Sequence, residues 1–192
     1  MYILASASPR RRELLSMVVS EFSVDVADCD ETCPMDIPLF ERPQFLSELK
    51  ARSVAVRHKD DTVIAADTAV FFGNEMLGKP KDEDEAKEML LALSGQKHKV
   101  ITGCTIIKCE KTVSFSVSTD VEFYKLTDED IDEYIKTGDC YDKAGAYGIQ
   151  SKGYFLVKGI EGDYFNVVGL PIAELKKHLS AIEKHHICGA NI

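Results

Sequence analysis

The feature that most constrains the fold lies at the start, where two apolar residues, Tyr2 and Ile3, run into the stretch LASASPRRR at residues 4–12. The pattern predicts a short buried strand, a tight turn of small residues, and a helix. The helix start is marked twice: Ser8 is a good N-cap, and Pro9 suits the first helical position, where an N–H has no intrahelical partner. Arg10, Arg11 and Arg12 then crowd the first turn. Cations there oppose the helix dipole. An ordinary capped helix with a solvated basic first turn is the plain alternative. The conflict with the dipole instead favours an anion site, above all for phosphate, formed by backbone N–H groups and guanidinium groups at the strand's carboxyl end.

The rest of the chain alternates strands and helices, then turns to long strands. Residues 22–26 read as a second strand, followed by an acidic loop at 28–31 and a Pro-containing loop to Pro38. A helix over 43–58 carries Lys50 off one face. The run TVIAA at 62–66 has the look of a strand buried on both faces and ends in Asp67. Residues 70–77 read as a hairpin turning at Gly73-Asn74 and leading into Gly78-Lys79-Pro80, with Lys79 in an extended loop. A helix follows over 82–93, with acids in its first turn that match the dipole. Residues 99–107 and 113–124 form two β-branched runs of an antiparallel hairpin, and Thr127 caps a helix over 128–136. After a glycine-punctuated stretch at 141–153, strands are predicted over 155–160 and 164–168, and a last helix over 171–184. This order predicts an α/β fold, a mixed, bent central sheet with flanking helices, in one domain over 1–192 whose two lobes surround a cleft.

Composition removes several classes of function. With 192 residues, 45% of them hydrophobic, the chain supports a sizeable core without staples. The net charge of −9 would repel nucleic acid and anionic membrane over most of the surface, so any positive site is local. No apolar run approaches the roughly 20 residues of a membrane span. The cysteines at 29, 33, 104, 109, 140 and 188 form no C-x-x-C pair and no zinc spacing, and no secretory leader is apparent, which favours reduced thiols in a cytoplasmic protein. Cys29 and Cys33 remain minor candidates for a metal or disulfide. The histidines lack ligand-like partners, and neither a Walker loop nor a strand-linked G-x-G-x-x-G is present.

Polar residues out of place in a plain scaffold are Arg10, Arg11, Glu31, Lys50, Asp67, Lys79, Lys143 and Gln150. Several cations, two or three carboxylates and an amide make the inventory for binding a polyphosphate with a divalent metal. Such chemistry needs cations on the phosphoryl oxygens, carboxylates for Mg²⁺ or Mn²⁺, and a group to orient water. Asp67 is the sharpest candidate, because a carboxylate closing a buried run must be compensated, for instance by a metal. Its alternative is to cap the turn at Thr68. Glu31 has the plainer alternative of a solvated acidic loop.

Eight blocks in order then resemble the Maf family of nucleotide pyrophosphatases: LASASPRRREL at 4–14, DE at 30–31, ELKA at 48–51, AADTAV at 65–70, GKP at 78–80, LSGQKHKVITG at 93–103, YDKAGAYGIQ at 141–150 and VVGLP at 167–171. The resemblance implies a two-lobed fold related to the inosine triphosphate pyrophosphatases, a homodimer, and metal-dependent hydrolysis of a nucleoside triphosphate to monophosphate and pyrophosphate. S-P-R-R and D-K-A-G-A-Y-G-I-Q look like the branch that cleaves dTTP and UTP, rather than 7-methyl-GTP. Carried over, Ser6, Arg10, Arg11, Lys50 and Lys79 would hold phosphates. Glu31 and Asp67 would hold metal or water, with Asp67 the catalytic carboxylate, and Lys143 and Gln150 would meet the base or a second phosphate region. Ala65 departs from the glycine common in the family. A nucleotide-binding regulator of cell division or septum formation needs the same pocket, and single-stranded nucleic acid binding is disfavoured by the charge.

Overall fold

The computed structural model describes residues 1–187. Thirteen regular elements follow one another: β1 (Tyr2–Leu4), α1 (Pro9–Ser16), β2 (Ser23–Val24), α2 (Arg42–Ala55), β3 (Thr62–Phe72), β4 (Glu75–Leu77), α3 (Glu83–Leu93), β5 (Lys97–Lys108), β6 (Lys111–Phe123), α4 (Asp128–Lys136), β7 (Val157–Glu161), α5 (Tyr164–Val168) and α6 (Ile172–Ile187). The strands make one mixed sheet in the order β2-β1-β3-β5-β6-β7, with β4 on β3. β1 pairs in parallel with β2 and β3, whereas β4 and β7 pair antiparallel with β3 and β6. The expected mixed α/β sheet with helices is present.

The chain groups into two compact units, and β3, β5 and β6 each pass from one to the other. The first unit comprises Met1–Asp67, Thr102–Val117 and the chain from Gly169. Its core joins Ile3, Val63, Ala65 and Ile107 of the strands to Ala51 and Val54 of α2. Ser47 of α2, fully buried, is bonded to Thr105 of β5 at 2.8 Å. One turn earlier, α2 lies so close to β5 that a Cβ on Gly103 would fall 2.3 Å from the Gln44 nitrogen. Glycine is required there by contact, since the obstacle is backbone.

The second unit comprises Thr68–Ile101 and Ser118–Val168. Ala86, Leu90 and Leu93 of α3 and Ile131, Tyr134 and Ile135 of α4 pack with Val70, Val100, Val121 and Phe123 of the strands. Asp82 caps α3 by accepting from the Glu85 N–H at 2.9 Å, and Thr127 with Asp130 closes a capping box on α4. His98 is 4% exposed, its Nε2 bonded to the Tyr147 hydroxyl at 2.7 Å and its ring packed edge-on against Phe123.

Three local expectations change. β3 does not stop at Ala66 but continues to Phe72, so Asp67 sits inside an eleven-residue strand instead of at its end. The second strand shrinks to Ser23–Val24 at the sheet edge. Residues 164–168 form α5, not a strand. Asp163 decides this, since its carboxylate accepts from the Phe165 N–H at 2.8 Å while its backbone exchanges hydrogen bonds with Thr119 Oγ1 at 3.1 Å. Cys29, Cys33, Cys104, Cys109 and Cys140 are unbridged, and Cys188 lies outside the described residues.

Two measurements check this packing. Gly103→Ala forces the α2 backbone to move, and we expect a loss of about 2 kcal/mol in urea unfolding; an unchanged midpoint contradicts the contact. Burial lowers the His98 pKa to about 4, with Asp120 only partly opposing. The unfolded chain therefore binds a proton that the folded one refuses. The stability this confers is complete above about 6.5 and falls by an order of 3 kcal/mol as the pH drops towards 4. In His98→Leu that pH dependence should flatten, and an equally steep curve contradicts the assignment.

Candidate active site

In the first unit, β1 ends in the turn that carries Ser6 and Ser8. Ser8 caps α1 as expected, its hydroxyl accepting from the Arg11 N–H at 3.4 Å with Pro9 at the first helical position. Ser6 is 8% exposed, and its oxygen accepts from the Ser8 N–H and from Arg11 Nη1, both at 3.3 Å. With its lone pairs engaged, that hydroxyl has its proton left for an incoming acceptor. Arg11 Nε donates to the Gly169 carbonyl at 2.9 Å, which fixes the plane of the guanidinium. Arg10 is half-buried beside it. Burial lowers the Arg11 pKa, and the charge of Asp67 is the largest influence in the opposite direction, ahead of Cys104 and Glu31. The Cys104 thiol, fully buried, is itself pushed up to about 12 by that burial, with Arg11 opposing, so it remains a neutral packing group.

The same unit holds the carboxylates. In α2, Ser47, Ala51 and Val54 face the core, which leaves Lys50 one helical turn beyond Ser47. Its ammonium lies 2.6 Å from Asp67 Oδ1 and 2.8 Å from Glu31 Oε2. Lys50 and Asp67 side chains are 13% and 16% exposed, whereas Glu31, on its loop, is 55% exposed. The misplaced charge in β3 is therefore matched by a lysine from the neighbouring helix, not by a cap on Thr68.

Lys79, Lys143 and Gln150 lie in the second unit. Lys79 is exposed, and the carbonyl of the preceding Gly78 accepts from the Gly145 N–H at 2.9 Å, which ties the 78–80 segment to the loop that carries Lys143. The Lys143 ammonium donates to the Asp139 carbonyl at 2.5 Å, to Asp139 Oδ1 at 2.9 Å and to Asp142 Oδ1 at 2.6 Å. Gln150 is half-buried at the start of a short 3-10 turn, Ser151–Phe155. Gly169, Asp139 and Asp142 take part in these contacts, although none of them is among the out-of-place polar residues of the sequence. Gly169 and Asp142 lie within the VVGLP and YDKAGAYGIQ blocks, whereas nothing local marks Asp139 as a partner of Lys143.

Ser6, Arg10, Arg11, Glu31, Lys50 and Asp67 thus all fall in one unit, hydroxyl, guanidinium and ammonium donors together with two carboxylates. A family profile described as Maf-like protein matches residues 1–182. The chain belongs to the Maf family. A Maf relative from Bacillus cereus named dTTP/UTP pyrophosphatase is 47% identical over 186 residues, 94% of this chain and 95% of that one. Proteins of the same name from Bacillus cytotoxicus and Halalkalibacterium halodurans are 48% and 46% identical over 95% and 92% of this chain, and over 95% and 93% of their own lengths. The fold also resembles a solved HAM1 protein from Coxiella burnetii, with a TM-score of 0.53 at 13% identity, over 94% of this chain and 98% of that one.

Among the described residues of this Maf chain, no group of three or more His, Cys, Asp or Glu could hold a metal alone. Glu31 and Asp67 nevertheless converge on one ammonium nitrogen, and two carboxylates with waters and substrate phosphates are the usual protein share of a Mg²⁺ site. The donor set fits such a cation. No described helix is long and apolar enough to cross a membrane.

Removing the ammonium leaves a largely buried carboxylate unmatched. Lys50→Met should cost about 2 kcal/mol in urea unfolding, and adding Asp67→Asn should recover much of that loss; losses that simply add would contradict the pairing.

Proposed function

We propose that this chain hydrolyses dTTP and UTP, and modified pyrimidine nucleotides of the same shape, to the monophosphate and pyrophosphate. The observation that carries the reading is the joint position of Lys50, Asp67 and Glu31 in the unit that holds the Ser6–Arg11 cradle, in a chain 46–48% identical to proteins named for that activity. In the first unit the Arg10 and Arg11 guanidiniums and the Ser6 hydroxyl bind phosphate charge; in the second, as the family resemblance implies, Lys79 binds phosphate and Lys143 and Gln150 meet the base or a second phosphate region. Glu31 and Asp67 would hold Mg²⁺ or Mn²⁺. Bound there, the cation supplies charge neutralisation at the phosphoryl oxygens and a more acidic water.

Asp67 orients a water and accepts its proton as the water oxygen bonds to the α-phosphorus. The bond from that phosphorus to the bridging oxygen breaks, and the pyrophosphate departs with the electron pair. Lys50 stands next to the carboxylates that act and can turn to the negative charge that develops on the leaving group. The reading includes a cytoplasmic homodimer engaged in nucleotide-pool housekeeping.

The test is phosphate release from dTTP, UTP, CTP, ATP, GTP and 7-methyl-GTP, with and without added inorganic pyrophosphatase. Phosphate that depends on the coupling enzyme and comes mainly from dTTP and UTP is expected. Asp67→Asn should lower turnover by at least ~10²-fold. Tight nucleotide binding without turnover would overturn the reading in favour of a nucleotide-binding regulator.

A further inference from the structure

Lys143 precedes a short 3-10 turn, Ala144–Ala146, in a stretch without α-helix or strand, yet its side chain is only 12% exposed and all three of its ammonium protons are engaged, by the Asp139 carbonyl, Asp139 Oδ1 and Asp142 Oδ1. Something outside the stretch must hold it. The Tyr134 side chain, fully buried on α4, supplies that hold from both ends. Its hydroxyl donates to Asp139 Oδ2 at 3.1 Å and accepts from the Gly148 N–H at 2.9 Å. These two contacts bracket Lys143 in the chain. Gly148 in turn walls the lysine, because a Cβ on it would come 2.6 Å from Lys143 Cε, and it is itself backed by Gly153, whose own Cβ would meet the Gly148 carbonyl at 1.9 Å.

We infer that Tyr134 is a positioning residue for substrate, acting through Asp139 and Gly148 to hold the Lys143 ammonium in place for an anionic group of the nucleotide. The inference rests on the proposed role of Lys143. Asp139 accepts from both Tyr134 and Lys143, so its carboxylate cannot rotate to follow solvent. Asp142, 60% exposed, is the looser partner and the one a phosphate oxygen would replace. Burial raises the Tyr134 pKa, the Gly148 N–H opposing and the Asp139 charge adding, so the hydroxyl keeps the proton it donates. A tyrosine that served the core alone would need its ring, which packs edge-on with Phe155 6.3 Å away, but not this pair of polar contacts.

The test is a double-variant cycle on the full chain with dTTP. Tyr134→Phe keeps the ring and should lower kcat/KM about tenfold, mostly by raising KM, and Asp139→Asn should act in the same direction. Lys143→Ala should lower it by more. In the Lys143→Ala background, Tyr134→Phe should have almost no further effect, because its route to substrate is gone. Losses that multiply, or a Tyr134→Phe enzyme with unchanged KM, overturn the inference while leaving Lys143 in its role. A Lys143→Ala enzyme with normal kinetics overturns the role of Lys143 and the inference with it. Asp139→Asn carries the same cycle if Tyr134→Phe does not fold.

Discussion

A carboxylate in the middle of a buried strand needs a partner, and the ion pair between Asp67 and Lys50 supplies it. β3 runs for eleven residues, most of them apolar and buried, and Asp67 interrupts that run halfway. Burying a lone charge costs several kcal/mol, whereas pairing it with good geometry offsets most of that cost. The requirement reaches well beyond the pair. It sets the phase of α2, which must present Lys50 to β3 while Ser47 bonds to Thr105 and the helix start passes over Gly103. The same strand lies beside β1: Leu4 is in register with Ile64, three residues before the carboxylate, and the Ala5 N–H donates to the Ile64 carbonyl at 2.8 Å. The turn that carries Ser6 therefore starts from the strand that carries Asp67.

The same economy of charge recurs among the other cations. In a chain of net charge −9, Lys50 is matched by Asp67 and Glu31, and Lys143 by Asp139 and Asp142. Each lysine is held by acids within its own unit, one acid well buried or backed by a buried group and the other exposed. An exposed acid gives way to a stronger anion at small cost, because solvent already screens it. Lys50 and Lys143 are thus each held in place with one exposed partner, Glu31 and Asp142.

Local signals were legible in the sequence, and long-range ones were not. Ser8 and Pro9 mark the start of α1 and Thr127 that of α4, because each cap and the backbone N–H it bonds lie within three residues of each other. Asp67 was legible as a misplaced charge, but its place inside β3 depended on residues 68–72 continuing the strand, which the polar Thr68 obscured. Residues 164–168 are mostly aromatic and β-branched, which suits a strand, and what starts a helix there is the hold of Thr119 on Asp163, 44 positions away. Asp139 and Tyr134 are silent in the sequence for a related reason. Asp139 stands four residues before Lys143, but that interval has no helical pattern to put the two on one face.

In the proposed reaction the Asp67 carboxylate directs water to the α-phosphorus. The most direct measurement is hydrolysis of dTTP in ¹⁸O-enriched water, with the products resolved by mass spectrometry. The account predicts one ¹⁸O in the thymidine monophosphate and none in the pyrophosphate. Label in the pyrophosphate, or release of unlabelled monophosphate, would place the attack on the β-phosphorus and contradict it.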